Sequence, residues 1–187
     1  IVRDIIMGRH SKDLDIVIAK ISAKDLRKLL SRYGHVNLVG KSFGVFKFAP
    51  AQKKLAEPID IALPRTEFST GAGYRDFVIQ SDPELPITED LARRDFTINA
   101  IAFAYTQGKL IDPFTGVADI SKKIIRAVGD PAKRFAEDYS RILRAVRLAV
   151  TLDFKIESST WRELKKVCQK IVEPKDYQGK KEQTVPW

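Results

Sequence analysis

The sequence predicts a mixed α/β (α+β) fold, and three observations predict it. Over the first 120 residues, short runs of β-branched and aromatic residues alternate with amphipathic stretches. From about residue 121 the apolar spacing turns helical and stays so. With 187 residues, 44% of them hydrophobic, the chain is long enough to bury a core. These observations place strands and helices together at residues 1–120 and a helical part at 121–187, with a boundary near 120.

The elements follow in order. Asp13-Leu14-Asp15 runs into Ile16-Val17-Ile18 and reads as the start of a strand. Strand side chains alternate faces, so Asp13 and Asp15 share one. Ser22 followed by Asp25 opens a helix in capping-box style, with Leu26, Leu29 and Leu30 as its apolar stripe and Gly34 as its end. Val36–Val39 and Phe43–Phe48 are the next strands; the second is apolar on both faces and reads as buried. Ile59–Leu63 is a further strand with Asp60 inside it, and Ser69–Tyr74 is a turn-rich loop. Thr88-Glu89-Asp90 caps a helix, and Thr106–Lys109 turns a hairpin between Ala100–Tyr105 and Leu110–Ile111. Tyr139–Leu152 repeats apolar residues at Ile142, Leu143, Val146 and Ala149. Ser158 and Ser159 cap a last helix, with Trp161, Leu164, Val167, Cys168 and Ile171 on one side. The tail from Pro174 to Trp187 is polar, without helical or strand periodicity. The first residue is Ile rather than Met, so a fragment of a longer protein is expected.

Composition narrows the function classes. No run is apolar enough for a transmembrane span or a signal peptide, so no membrane partner is expected. The single cysteine, Cys168, forms no internal disulfide; it fits a reducing cytoplasm and reads as a small core residue. His10 and His35 show no partner spacing and read as structural, and no Cys/His cluster has zinc spacing, so any metal is expected on oxygen. The net charge of +9 is unevenly placed: residues 121–187 carry 16 Lys/Arg against 9 Asp/Glu, and residues 1–120 carry 17 against 15. A basic second part favours phosphate backbones, or is simply a soluble surface.

Four constellations carry chemistry. Asp13 and Asp15 suit Mg²⁺, and Asp60 could complete a three-carboxylate set if its strand neighbours theirs; the alternative is a solvated strand mouth. In Arg93-Arg94-Asp95-Phe96-Thr97-Ile98-Asn99-Ala100, the arginines can neutralise a triphosphate. Asp95 can accept from a ribose hydroxyl and Asn99 can donate to a phosphate; a surface ion-pair cluster is the alternative. Asp112-Pro113-Phe114-Thr115-Gly116 reads as a turn. In Glu137-Asp138-Tyr139-Ser140-Arg141, one helix places Asp138 and Arg141 on a shared face, with Glu137 four residues before Arg141. An acid–arginine pair matches the Watson–Crick edge of adenine and of cytosine, both of which set an amino donor beside a ring-nitrogen acceptor. Guanine and uracil present the reverse and leave buried polar groups unpaired. The alternative is an ordinary helical ion pair. Arg144 and Arg147 continue that helix toward nucleic acid phosphate or solvent.

Together these strings resemble the class II tRNA nucleotidyltransferases, that is, the bacterial CCA-adding enzymes and their relatives the poly(A) polymerases. The resemblance runs from Val2 to about Phe154, through Val2-Arg3-Asp4, Gly8, Asp13-Leu14-Asp15, Arg93–Ala100, Asp112–Gly116, and Glu137, Asp138 and Arg141. Arg65-Thr66-Glu67 with Gly71–Phe77 is similar to the flexible loop of one bacterial CCA-adding subgroup. The resemblance implies a nucleotidyltransferase head domain with a mixed sheet and flanking helices at 1–120, followed by the start of an all-helical neck at 121–187. It further implies template-independent addition of CMP and AMP to the 3′ end of tRNA, with ATP and CTP as substrates and Mg²⁺ as cofactor. Asp13, Asp15 and Asp60 would be catalytic and metal-binding. Arg3, Arg94, Asp95, Asn99, Glu137, Asp138 and Arg141 would bind the nucleotide, and Arg144 and Arg147 the RNA. Poly(A) synthesis on the same residues and a non-catalytic basic RNA-binding module are the alternatives. The sequence does not fix the oligomeric state.

Overall fold

The computed structural model describes residues 1–11, 14–39, 45–52, 57–69, 77–172, 174–177 and 180–183. Two compact units are present: Ile1–Glu67 with Ile79–Asp90, and Phe68–Val78 with Leu91–Trp187. Residue 120, where composition turns basic, lies inside the second.

The first unit is built on a four-stranded mixed sheet. In chain order come α1 (Val2–Ile6), β1 (Asp15–Val17), α2 (Ala23–Leu30), β2 (Gly34–Val39), β3 (Val45–Pro50) and β4 (Ile59–Ala62). The sheet order is β1-β4-β3-β2, with β1 parallel to β4 and the other pairs antiparallel. A parallel pair needs a long crossover, which α2, β2 and β3 supply. The Ser22 hydroxyl caps α2 by accepting from Asp25 N–H at 3.1 Å and donating to Asp25 Oδ2 at 2.6 Å, a cap worth about 1 kcal/mol.

One face of the sheet is apolar. Ile16, Ile61, Phe46 and Leu38 are consecutive register partners across it, and Phe46, Phe48, Ile61 and Leu63 are buried with Leu26 and Leu30 of α2. The other face is polar, and this corrects the reading of β3 as buried on both sides: Phe46 and Phe48 are buried, but Lys47 and Ala49 are exposed. Phe43 lies outside the described residues. Leu29 is also exposed, so the α2 stripe is Leu26 and Leu30 alone. Gly34 opens β2 rather than ending α2, whose C-cap is Ser31. The glycine is required there by close approach, since a Cβ would stand 2.1 Å from the Ala49 carbonyl oxygen. Strands β5 (Arg65–Ser69) and β6 (Phe77–Ser81) pair as a ribbon, and α3 (Ile87–Ala92) follows. The expected loop lies almost wholly outside the described residues.

The second unit continues with β7 (Ala102–Ala104) and β8 (Lys109–Ile111), an antiparallel hairpin turned through a 3₁₀ segment and Gly108 at φ 61°. Then come α4 (Gly116–Ser121), β9 (Ile124–Ile125), α5 (Pro131–Glu137), α6 (Ser140–Leu152), β10 (Lys155–Ile156) and α7 (Ser158–Val167). On α6 the buried apolar stripe is Ile142, Ala145, Leu148 and Leu152, whereas Leu143 and Val146, expected inside, are exposed. On α7, Leu164 is buried but Trp161 is exposed, and Cys168 is an exposed thiol rather than a core residue. The α7 N-cap is Glu157 rather than a serine; its carboxylate accepts from Thr160 N–H at 2.9 Å. The tail holds β11 (Pro174–Tyr177) and β12 (Lys180–Gln183), an antiparallel pair that periodicity did not reveal. Among the described residues no helix is long and apolar enough to cross a membrane.

Candidate active site

In the first unit the polar face of the sheet brings two of the predicted acids together. Asp15 on β1 and Asp60 on β4 are register partners in the parallel pair. Partners in register project to the same face, with the strands about 4.8 Å apart. Asp13 lies outside the described residues. Among the described residues no group of three His, Cys, Asp or Glu is placed to hold a metal; the described set is the pair. Two hard carboxylates side by side on an exposed face nonetheless fit Mg²⁺, which needs only one or two from the protein and keeps its waters.

Lys47 on β3 is a residue the sequence reading missed. It is the register partner of Asp60 on the other side, and its Nζ donates to Asp60 Oδ1 at 2.8 Å. Asp60 raises the Lys47 ammonium above its ordinary 10.5 through that hydrogen bond and its charge, and Glu57 and Asp15 add in the same sense. The available signal was alternation: between Phe46 and Phe48, Lys47 must face away from the core. Arg3 on α1 turns to its neighbour, with Nε and Nη2 at 2.9 and 2.8 Å from Asp4 Oδ1.

In the second unit a cluster of arginines and carboxylates gathers around the segment 93–99. Asp95 is buried, and its Oδ1 accepts from Phe96 N–H at 2.8 Å and from Asn99 Nδ2 at 3.0 Å. Its Oδ2 accepts from Arg144 Nε at 2.8 Å and lies 2.7 Å from Arg144 Nη2. Arg144 therefore holds Asp95, a partner the sequence reading did not give it, while its side chain stays 45% exposed. Arg147 remains exposed on α6. Arg94 Nη1 reaches the Asn99 carbonyl at 3.4 Å.

The expected single helix through Glu137 and Arg141 is broken. Glu137 ends α5, Asp138 is extended at φ −156° and ψ 106°, and α6 begins at Ser140. Asp138 and Arg141 therefore do not share a helical face. Asp138 Oδ1 accepts from Ser140 N–H at 2.8 Å in the turn ahead of α6, whose N-cap is Tyr139. The buried Arg141 guanidinium pairs with Glu137 and donates to the Arg134 carbonyl at 2.9 Å and the Arg93 carbonyl at 3.3 Å. Arg134, unforeseen in the sequence, joins them: its Nη1 donates to Glu137 Oε2 at 2.8 Å and to the Arg93 carbonyl at 3.2 Å. Burial lowers the Arg134 guanidinium below its ordinary pKa, with Glu137 acting against it and Arg141 with it. The arginine nonetheless stays charged at neutral pH.

The turn 112–116 is structural, as expected, and it supports this cluster. Asp112 accepts from Gly116 N–H at 2.7 Å and Val117 N–H at 3.0 Å at the start of α4. Gly116 lies so close to Thr97 that a Cβ would be 2.2 Å from its carbonyl oxygen. The Thr97 hydroxyl donates to the buried Asp119 at 2.7 Å, and Arg126 Nε donates to the same oxygen at 3.0 Å. The segment 95–99 is thus fixed from several sides.

Comparison with known proteins bears on the family of the chain. The model of the poly A polymerase head domain matches residues 1–126. The multifunctional CCA protein of Nitrosococcus oceani is 43% identical over 159 residues, covering 85% of this chain and 36% of that protein. That of Stenotrophomonas maltophilia is 41% identical over 162 residues, covering 85% and 36%. The Bacillus stearothermophilus CCA-adding enzyme in complex with CTP superposes with a TM-score of 0.70 at 31% identity, covering 87% of this chain and 36% of that one. A CCA-adding enzyme with ATP gives 0.70 at 32% identity, covering 91% and 36%. The chain spans about a third of the length of the curated relatives it matches.

Proposed function

This chain belongs to the poly A polymerase head domain family, and from that premise we propose that it serves template-independent addition of CMP and AMP to the 3′ end of tRNA. The observation that carries the reading is the in-register pairing of Asp15 with Asp60 on an exposed sheet face. The similarity to CCA proteins, and to CCA-adding enzymes with CTP and with ATP, supports it.

In the proposed reaction the tRNA 3′-oxygen attacks the α-phosphorus of the nucleotide. The bond to the oxygen bridging the α- and β-phosphorus breaks, and pyrophosphate leaves. Asp15 and Asp60, with Asp13, would hold Mg²⁺. When bound, the ion supplies Lewis-acid activation of the attacking hydroxyl and neutralises charge on the leaving group. The Arg93–Arg94 pair meets the triphosphate. Asp95, held by Arg144, Asn99 and Phe96 N–H, is set to accept from a ribose hydroxyl. Asp138 accepts from the base amino group and Arg141 donates to the ring nitrogen, so adenine and cytosine fit while guanine and uracil leave polar groups unpaired. Glu137 and the Arg93 and Arg134 carbonyls fix the Arg141 guanidinium for that task.

The test is incorporation of labelled CMP and AMP into tRNAs ending before each of the three terminal positions. Addition of CMP separates the reading from poly(A) synthesis, which takes ATP. RNA binding that is indifferent to Mg²⁺ and to Asp15→Asn, with no pyrophosphate released, refutes both in favour of a binding module.

A further inference from the structure

Asp15, Asp60, Lys47 and Asn37 stand in one row across the polar face of the sheet, each the register partner of the next. Of the three β3 residues on this face, Val45, Lys47 and Ala49, only Lys47 is charged. Its Nζ lies 2.8 Å from Asp60 Oδ1, with the two side chains 45% and 38% exposed. On its other flank, Asn37 Oδ1 is engaged by His35 Nε2 at 3.0 Å. An ammonium on a flexible four-carbon stem is a mobile point charge. An exposed pair of this kind contributes little net free energy, so it is readily broken. A divalent ion drawn to Asp60 therefore meets an oxygen already claimed by a positive charge.

We propose that Lys47 is a resident counter-cation for the carboxylate pair: it neutralises Asp60 in the absence of a divalent ion and gives up Asp60 Oδ1 when one binds. Lys47 thereby sets how tightly the pair holds divalent cations. The inference rests on Asp15 and Asp60 being metal ligands. A unit charge about 5 Å from a doubly charged ion at an exposed, salt-screened site changes the Kd by about fivefold.

Calorimetric titration of Mg²⁺ into the whole chain tests this, using wild type, Lys47→Met, Lys47→Arg and Asp15→Asn. Lys47→Met is expected to bind Mg²⁺ about fivefold more tightly and to melt at lower temperature without divalent ions, with Mg²⁺ restoring the loss. Lys47→Arg, which keeps the charge, is expected to keep wild-type affinity. Unchanged or weaker Mg²⁺ binding by Lys47→Met overturns the role of Lys47, provided that Asp15→Asn abolishes binding. If Asp15→Asn binds as well as wild type, the carboxylates are not the metal site and the proposal falls with that reading.

Discussion

Replacing Asp15 with Asn removes one of two in-register carboxylates while keeping its shape. At the inter-strand spacing of about 4.8 Å, two unit negative charges in a water-like environment repel by about 0.9 kcal/mol. Lys47 offsets part of the charge on Asp60, so Asp15→Asn is expected to stabilise the protein without divalent ions by about 0.5 kcal/mol. With Mg²⁺ the order reverses. A ligand at a hundred times its Kd stabilises the folded state by about 2.7 kcal/mol, and the variant loses that gain. Urea denaturation in EDTA and in Mg²⁺ reads both signs from one pair of proteins. The crossing is diagnostic, because a packing defect lowers stability in both buffers and a neutral surface change alters it in neither. Equal Mg²⁺ stabilisation of wild type and variant would refute the reasoning. So would a variant less stable than wild type in EDTA by more than about 1 kcal/mol, a loss the repulsion argument does not allow.

Three further outcomes are expected. Gly116→Ala places a Cβ against the Thr97 carbonyl, and since backbone must shift, it should cost about 1–3 kcal/mol in urea denaturation and weaken ATP binding through the segment 95–99; a loss below about 0.5 kcal/mol counts against that packing. A double-mutant cycle of Asp95→Asn and Arg144→Ala should give a coupling of about 1.5–3 kcal/mol, as for hydrogen bonds to charged groups; additivity would mean that Arg144 does not hold Asp95. Glu157 is the α7 cap, and although burial raises its pKa, hydrogen bonds from Ser159 and Thr160 prevail and pull it from 4.5 to about 2. Its charged form therefore contributes fully above pH 4.5, and the contribution is lost as pH falls toward 2. Glu157→Gln should cost about 1 kcal/mol at pH 7 and progressively less below pH 4.5 in denaturation series across pH; a pH-independent difference rules the linkage out.

Local pattern carried much of this fold into view, and long-range pairing limited the rest. The cap at Ser22, the strands at Val36 and Ile59 and the hairpin at Gly108 all follow from neighbours within a few residues, and all are present. The face that α6 buries was not legible, because Leu143, Val146 and Val150 repeat as regularly as Ile142, Ala145 and Leu148. Only the surface α6 packs against decides between them. The strand pattern at Asp15 and the acid inside Ile59–Leu63 point to the carboxylates. That Lys47 lies on the far side of Asp60 depends on the β3–β4 register, which no local motif prints. Arg144 likewise reads as a surface cation until Asp95, 49 residues away in sequence, is folded against it.

The break at Asp138 is the most consequential of these departures. The stretch from Phe135 to Leu143 contains neither Gly nor Pro and reads as continuous helix. Where the chain leaves the helix, Asp138 Oδ1 accepts from the Ser140 N–H two residues on, a turn that Asp-x-Ser permits but does not announce. The break divides labour between adjacent acids. Glu137, at the end of α5, pairs with Arg141 and Arg134, while the Asp138 carboxylate accepts from the Ser140 N–H. In an unbroken helix Asp138 would lie three residues from Arg141 on one face, the two charges free to satisfy each other. A base-reading pair needs the reverse: an acceptor and a donor held separately, each keeping capacity for the base. In the proposed base reading, assigning Glu137 to the guanidinium and Asp138 to the turn would supply that separation. Restoring helical continuity with Asp138→Ala should therefore cost nucleotide discrimination more than it costs fold.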